Sequence, residues 1–269
     1  MKSCLTRNNV RVTGRGKHTL MLAHGFGCDQ NMWRFVAPAF EERFRVVLFD
    51  YVGSGKSDAS AYREDRYRTL EGYARDVVEI LDALDLREVT FVGHSVSAMI
   101  GILAAKRAPA RIGRLILLVP SACYVDHPPD YRGGFSRADL EGLLDLMEKN
   151  YVGWASFLAP MVMKNDDKPE LQKELATSFC ASDPEIARQF AAVTFLSDNR
   201  RDLAGVTQPA LILQCSDDAI ATAEAIDYVH RQLPGSTKVV MKATGHCPHM
   251  THPAETIAAI DSYLRSAGL

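Results

Sequence analysis

Short apolar segments that alternate with longer amphipathic ones constrain the fold of this chain more than any other feature. The apolar segments are nearly continuous in Val, Ile and Leu, which is typical of parallel strands covered on both faces. They span 19–25, 45–50, 89–95, 114–120, 209–215 and 237–242, and helical spacing of apolar residues is seen at 70–84, 96–108, 221–233 and 254–267. This alternation predicts an α/β fold with a mostly parallel central sheet flanked by helices.

Two regions depart from this alternation. The opening NVRVTGRGKHTLML predicts a β-hairpin that turns at Gly14 and Gly16. Between Pro120 and Pro209 the pattern is helical instead, at 136–149, 151–163, 168–180 and 184–196. We therefore expect a core formed by residues 1–120 and 205–269, with residues 121–204 inserted as a helical lid over one end of the sheet.

Composition and charge limit which partners this chain is expected to bind and in which cellular compartment it is expected to occur. Lys and Arg number 31 against 33 Asp and Glu, so there is no basic excess of the kind that nucleic-acid binding needs. No apolar run approaches the ~18 residues that a membrane span requires, and the first residues have no leader-like apolar region. The six cysteines are scattered without a C-x-x-C pair, which indicates reduced thiols. We expect a cytoplasmic protein with neither a nucleic-acid nor a membrane partner.

The segment GHSVSAMIG, residues 93–101, places Ser95 between a predicted strand and a predicted helix. A nucleophilic serine in the pattern G-x-S-x-G occupies such a turn, whose flanking residues must be small. Gly93 fits this pattern, and Ser97 stands where the second glycine is usual. The alternative role for Ser95 is to cap the helix that follows.

A carboxylate and a histidine that could activate Ser95 follow in the expected order. LILQCSDDAI places Asp217 and Asp218 directly after a strand, and TGHCPHMTHP places His246 before the last helix. A histidine can take and return the serine proton while a buried carboxylate fixes its tautomer. The spacing does not choose between the two aspartates, either of which could cap the next helix. His249 and His252 compete with His246, but they lie further from the strand end.

The negative charge that develops during acyl transfer requires two backbone N–H donors. Val96, the residue after the candidate nucleophile, is one candidate. The segment HGFG at 24–27 follows an early strand and makes the N–H of Phe26 the other candidate.

Two further motifs suggest other chemistries and are set aside. GSGKS at 53–57 resembles a phosphate-binding loop, but Asp50 occupies the position where that loop requires a glycine. His246, Cys247 and His249 are not accompanied by a second cluster at zinc spacing. We therefore expect neither a catalytic metal nor a cofactor.

Several segments together resemble one family. They are HGFGCDQNMW, RVVLFDYVGSGKSD, GHSVSAMIG, GGF, MEKNYVGWASFLAP, LILQCSDD and GHCPHM. The chain resembles the RsbQ-like bacterial α/β-hydrolases, which are related to the plant strigolactone and karrikin receptors. The resemblance implies an α/β-hydrolase fold with a four-helix lid and a triad of Ser95, Asp218 and His246. It also implies a hydrophobic pocket lined by Phe26, Phe135, Trp154, Leu158, Phe179 and Phe195, in which Leu158 replaces a Phe of the plant receptors.

Two functions follow from this resemblance. The first is a serine hydrolase of small hydrophobic esters or lactones, similar to butenolides or strigolactones, that acts through an acyl-enzyme. The alternative is an RsbQ-type ligand sensor, a positive regulator of stress signalling that acts with a PAS-domain phosphatase of the PP2C type. The two functions share one site and differ in the rate of turnover and in the protein partner.

Overall fold

The apolar segments pair into one sheet in the computed structural model of the protein, which describes residues 3–269. Over that range the sheet has seven strands in the order β1-β3-β2-β4-β5-β6-β7. They are β1 (Arg11–Thr13), β2 (His18–Ala23), β3 (Phe44–Leu48), β4 (Val89–His94), β5 (Ile112–Leu118), β6 (Ala210–Gln214) and β7 (Ser236–Val240). Every neighbouring pair is parallel except β1 with β3. The predicted mostly parallel sheet is confirmed.

Helices cover this sheet on both faces and occupy the long connection between β5 and β6. They are α1 (Cys4–Arg7), α2 (Glu64–Tyr67), α3 (Leu70–Ala83), α4 (Val96–Arg107), α5 (Arg137–Lys149), α6 (Tyr151–Met163), α7 (Pro169–Cys180), α8 (Pro184–Leu196), α9 (Ala223–Gln232), α10 (Pro248–Thr251) and α11 (Pro253–Ser266). None of these helices is long and apolar enough to cross a membrane in the part of the chain that the structure describes.

The centre of the sheet is the most deeply buried part of the molecule. Every residue of β4 is buried, and α4, which follows it, is buried continuously from Val96 to Ala105. The edge strands β1 and β7 keep several exposed residues. Strands with helices on both faces must be apolar on both faces, which explains the unbroken Val, Ile and Leu runs.

Helices α5 to α8, here called the helical insertion, follow one another with short connections. Helix α5 begins with a capping box, in which Ser136 and Asp139 bond each other's backbone N–H groups. Helix α8 begins with the Asp183 side chain accepting from two backbone N–H groups, followed by Pro184 at the first helical position. These local signals explain why the helix starts lie within a residue of those predicted from the spacing.

The predicted opening hairpin is wrong. Strand β1 pairs with β3, with Arg11 opposite Leu48, and not with β2. Both edges of β2 are already occupied, by β3 on one side and β4 on the other. The two glycines permit a close backbone approach instead, since a Cβ atom at Gly14 would lie 2.1 Å from the Phe44 carbonyl oxygen. Glycine spacing therefore predicted the turn but not the partner strand.

Candidate active site

Ser95 occupies a strained turn between β4 and α4. Its backbone has φ 57° and ψ −121°, a combination that costs a non-glycine residue of order 1–3 kcal/mol. The turn is tight enough that a Cβ atom on Gly93 would lie 2.4 Å from the carbonyl oxygen of Ser97. The Ser95 hydroxyl points to His246 and not back to α4. The sharp turn thus presents this hydroxyl at the carboxyl end of the central strand.

Ser97 replaces the second glycine of the motif and makes bonds that a glycine could not. It is fully buried, and its hydroxyl donates to the His24 carbonyl oxygen at 2.5 Å. The same hydroxyl lies 2.8 Å from the hydroxyl of Tyr51. Because His24 begins the HGFG segment, this serine ties the turn that carries Ser95 to the loop that carries Phe26.

His246 and Asp218 extend from Ser95 as one hydrogen-bonded chain. The Nε2 atom of His246 lies 2.7 Å from the Ser95 Oγ atom, and its Nδ1 atom lies 2.7 Å from Asp218 Oδ2. Asp218 follows β6 and His246 follows β7, so neighbouring strand ends bring them together. The other carboxylate oxygen of Asp218 accepts from the N–H groups of Ile220 and Ala221 at 2.8 and 3.1 Å. This arrangement can pass a proton between serine and histidine while the carboxylate holds the ring.

The two adjacent aspartates have different environments. The Asp218 side chain is 2% exposed, whereas the Asp217 side chain is 62% exposed and forms an ion pair with Lys164. Burial alone would raise the pKa of Asp218, but the adjacent His246 ring and the two backbone donors outweigh it and hold that pKa below its ordinary value. Asp218 is therefore an ionised partner for His246, and Asp217 points to the surface.

Among the described residues, the other histidines near this site form no hydrogen bond with Ser95. His249 is fully buried between Trp33 and His94, with ring centroids 4.6 and 4.4 Å away, and burial lowers its pKa well below the usual value. His252 contacts the Thr251 hydroxyl at 2.9 Å. His94 donates from Nε2 to the His246 carbonyl oxygen at 2.7 Å. Burial and the neighbouring His246 lower the pKa of His94 to about 3, so His94 is a neutral donor that supports the His246 backbone.

The two N–H groups expected to bind the developing charge are both available. Among the hydrogen bonds of residues 3–269, the backbone N–H groups of Phe26 and Val96 donate to no protein acceptor. Val96 is the first residue of α4, where N–H groups lack intrahelical partners. Phe26 is followed by Gly27 at φ +69°, and a Cβ atom there would lie 2.1 Å from the Phe179 ring. The loop around Phe26 is thus pressed against α7 of the helical insertion.

A narrow apolar cavity opens beside Ser95. The predicted pocket residues Phe26, Leu158, Phe179 and Phe195 line it. Sequence reasoning missed the remaining lining residues, which are Cys28, His94, Val162, Leu175, Thr194, Ile220 and Cys247. Helical spacing could have indicated Leu175, which lies one turn before Phe179 on α7.

Two residues predicted to line the pocket lie elsewhere. Trp154 is buried and is not among the lining residues, although its ring centroid lies 6.1 Å from that of Phe26 and 5.0 Å from that of Phe179. Phe135 pairs with Val125 through the backbone and does not line the cavity formed by the described residues. Aromatic character indicated that both residues pack against the apolar core, but it did not indicate which of them would line the cavity.

Tyr124 is a second missed neighbour of Ser95. Its hydroxyl lies 3.3 Å from the Ser95 Oγ atom, and its ring packs edge-on against Phe195. Burial raises the pKa of this phenol above its usual value, so it stays protonated at neutral pH. It lies in the irregular segment after β5, where no motif or periodic pattern marks individual residues.

In the part of the chain that the structure describes, the histidines around Ser95 do not form a cluster with the spacing of metal ligands. Over the described range, three ligand atoms within 4.8 Å of one another occur at Cys123, His127 and Asp198. None of these three residues lines the cavity beside Ser95.

The chain is similar to plant and bacterial proteins over almost its whole length. A karrikin insensitive 2 receptor of Petunia hybrida is 36% identical over 254 residues, which cover 94% of each chain. A strigolactone esterase of Arabidopsis thaliana is 37% identical over 248 residues, which cover 92% of each chain. The solved structure of a hydrolase from Oleispira antarctica matches with a TM-score of 0.95 at 47% identity and covers 97% of this chain and 96% of that one.

A family-level match spans most of the chain. The sequence profile described as the alpha/beta hydrolase family matches residues 20–260. The predicted fold class and the predicted relationship to the plant strigolactone and karrikin receptors are both confirmed. The chain belongs to the alpha/beta hydrolase family and is an enzyme of the type that acts on ester bonds.

Proposed function

We propose that the protein is a serine hydrolase that cleaves small hydrophobic esters or lactones, including butenolides of the strigolactone type, through an acyl-enzyme on Ser95. One observation carries this proposal. Ser95 Oγ, the His246 ring and the Asp218 carboxylate form a continuous chain with both hydrogen bonds at 2.7 Å, and the serine stands in a strained turn at the strand end.

Acylation follows from this geometry. The Ser95 oxygen attacks the ester carbonyl carbon while its proton moves to His246 Nε2. The carbonyl oxygen becomes an oxyanion and accepts from the backbone N–H groups of Phe26 and Val96. The carbon–oxygen bond to the alcohol then breaks, and His246 returns the proton to the departing alkoxide. For a lactone the released alcohol remains attached to the acyl group.

Deacylation reverses the roles with water as the nucleophile. Water gives a proton to His246 as it attacks the acyl carbon. The bond between the acyl carbon and Ser95 Oγ then breaks, His246 returns the proton to Ser95 Oγ, and the acid is released. Asp218 stabilises the imidazolium in both halves of the reaction and keeps a proton on Nδ1. It can do so because its pKa lies below the ordinary value, which keeps it ionised.

The cavity walls favour a small and uncharged substrate. Leucine, valine, isoleucine and phenylalanine side chains form most of the lining, with Thr194 as a polar group on α8. Residues 121–204 act as a lid that supplies much of this wall, on a core of residues 1–120 and 205–269. The name of the Arabidopsis thaliana relative, strigolactone esterase, supports a lactone-containing substrate.

A ligand sensor is the second candidate function, favoured by the relative named as a karrikin insensitive 2 receptor. In that role the same serine would process its ligand slowly while the surface of the insertion contacts a protein partner. The candidate partner is a PAS-domain phosphatase of the PP2C type.

Steady-state hydrolysis separates these functions. Wild type and Ser95→Ala are assayed with p-nitrophenyl esters of increasing acyl length and with a synthetic butenolide. Rapid turnover of short esters without reaction of the butenolide indicates a metabolic esterase. Slow turnover of the butenolide with a persistent adduct indicates the sensor. Equal activity of Ser95→Ala and wild type would reject the proposed mechanism.

A further inference from the structure

The two segments that connect the helical insertion to the sheet lie side by side. Cys123, between β5 and α5, forms an antiparallel backbone bridge with Asp198, which follows α8. The Asn199 N–H donates to the Ala122 carbonyl oxygen at 2.7 Å. A group bound by side chains from both segments would therefore join the two ends of the insertion.

Three side chains from these segments converge with the spacing of metal ligands. Cys123 Sγ lies 3.7 Å from His127 Nε2, and a carboxylate oxygen of Asp198 lies within 4.8 Å of both. In a tetrahedral zinc site, a Zn–S bond of about 2.3 Å and a Zn–N bond of about 2.0 Å place sulfur and nitrogen about 3.5 Å apart. Small side-chain shifts would let one ion bind all three atoms.

The chemistry of the three groups selects the ion. A thiolate, an imidazole and a carboxylate together suit zinc, whereas magnesium and calcium prefer oxygen ligands alone. Cys123 is buried, His127 is half-buried and Asp198 is exposed, so the site is open on one side. That open side leaves room for a water molecule as a fourth ligand.

The Asp198 carboxylate is paired with a neighbouring arginine. The Arg200 guanidinium donates to the two Asp198 oxygens at 2.8 and 2.6 Å. A carboxylate has further lone pairs, so this ion pair still leaves a position for a metal. Zinc binds a thiolate, so binding displaces the Cys123 proton.

We propose that Cys123, His127 and Asp198 bind one Zn²⁺ ion that fastens the two ends of the helical insertion together. The site lies outside the cavity beside Ser95. It is nevertheless connected to that cavity, because Tyr124, the residue after Cys123, places its hydroxyl 3.3 Å from Ser95 Oγ.

Metal binding to the whole protein tests this directly. Protein dialysed against a chelator, with a thiol-free reductant, is titrated with Zn²⁺ in competition with a chromophoric chelator. We expect one ion per chain and an increase in Tm on binding. Cys123→Ser, His127→Gln and Asp198→Asn should each weaken binding at least about tenfold. Cys180→Ser, which removes an exposed cysteine on α7, is the matched control and should bind as wild type does.

Co²⁺ provides a second readout, and its wild-type half does not depend on any variant folding. The wild-type complex should show the thiolate-to-cobalt charge-transfer band, and Cys123→Ser should lose it. A wild-type complex without that band, or a Cys123→Ser variant that binds Zn²⁺ as tightly as wild type, would overturn the proposal. Ser95→Ala should bind Zn²⁺ normally, so the result is independent of the hydrolase mechanism.

Discussion

The sheet and the helical insertion differ in how deeply their residues are buried and in what they contribute to the candidate site. In the sheet, β4 and the start of α4 are buried on every side, and the strand ends fix Ser95, Asp218 and His246. In the insertion each helix buries only one face, and α6 leaves Val152 66% and Phe157 56% exposed. The proposed reactive groups therefore lie at the ends of the deeply buried strands, and much of the cavity wall lies on helices that are partly exposed.

The two regions are nevertheless connected at the site itself. The His246 backbone N–H donates to the Val162 carbonyl oxygen on α6 at 2.7 Å. A Cβ atom on Gly245 would lie 2.3 Å from the Met163 carbonyl oxygen. The end of α6 therefore positions the loop that carries His246 while other residues of the same helix line the cavity.

The largest effect should come from the strand ends of the sheet. Ser95→Ala removes the oxygen that forms the acyl-enzyme and should lower kcat for a p-nitrophenyl ester by about 10⁶-fold. Circular dichroism should show an unchanged fold, since only a hydroxyl is lost. A decrease in kcat of less than about tenfold would contradict the assignment of Ser95.

The adjacent aspartates offer a matched pair for the next effect. Asp218→Asn should lower kcat by about 10⁴-fold, because an amide at this position stabilises the wrong tautomer of His246. Asp217→Asn should change kcat by less than about twofold, since its exposed side chain only pairs with Lys164. Steady-state kinetics of both variants measures the two effects. A larger loss of kcat from Asp217→Asn than from Asp218→Asn would contradict the assignment of Asp218.

A neighbouring pair on α6 tests the insertion. Leu158 is 3% exposed and lines the cavity, so Leu158→Ala should lower the free energy of unfolding by about 2–4 kcal/mol and shift preference toward longer acyl chains. Phe157→Ala removes an exposed side chain and should cost less than about 0.5 kcal/mol. Urea unfolding and an ester series measure both effects. Equal losses from the two variants would show that α6 does not form the wall.

The smallest expected effect concerns pH. The pKa of Asp218 is lowered in the folded state, so the unfolded state binds more protons and the stability rises with pH. This contribution is complete above the unfolded pKa of about 4 and is lost as the pH falls through the lower folded value. Urea unfolding between pH 5 and pH 3 should show a shallower decline for Asp218→Asn than for wild type. Parallel declines would remove Asp218 from the account of acid stability.

The sequence predicted the strands and helices whose apolar residues recur at a regular spacing. It missed the features that depend on how distant segments pack together. The Val, Ile and Leu runs of β2 to β7 follow from burial on both faces, and α5 to α8 follow from apolar spacing and caps. The partner of β1 depends on which sheet edge remains free, and no local pattern encodes that.

The candidate site also contains features that the sequence predicted and features that it missed. The order of serine, aspartate and histidine follows from the strand ends, whereas spacing could not separate Asp217 from Asp218. Tyr124 and Trp154 were missed or misplaced because their distance from the cavity depends on the packing of an irregular segment and of rings around Phe26.

Intact-protein mass spectrometry followed by peptide mapping tests the central claim most directly. Wild type and Ser95→Ala are quenched in acid during turnover of a p-nitrophenyl ester and of a butenolide. We expect a mass increase equal to the acyl group on the wild-type peptide that contains Ser95, and none on Ser95→Ala. An adduct of equal amount on Ser95→Ala, or one that maps to His246 or to a cysteine without passing through Ser95, would contradict the acyl-enzyme account.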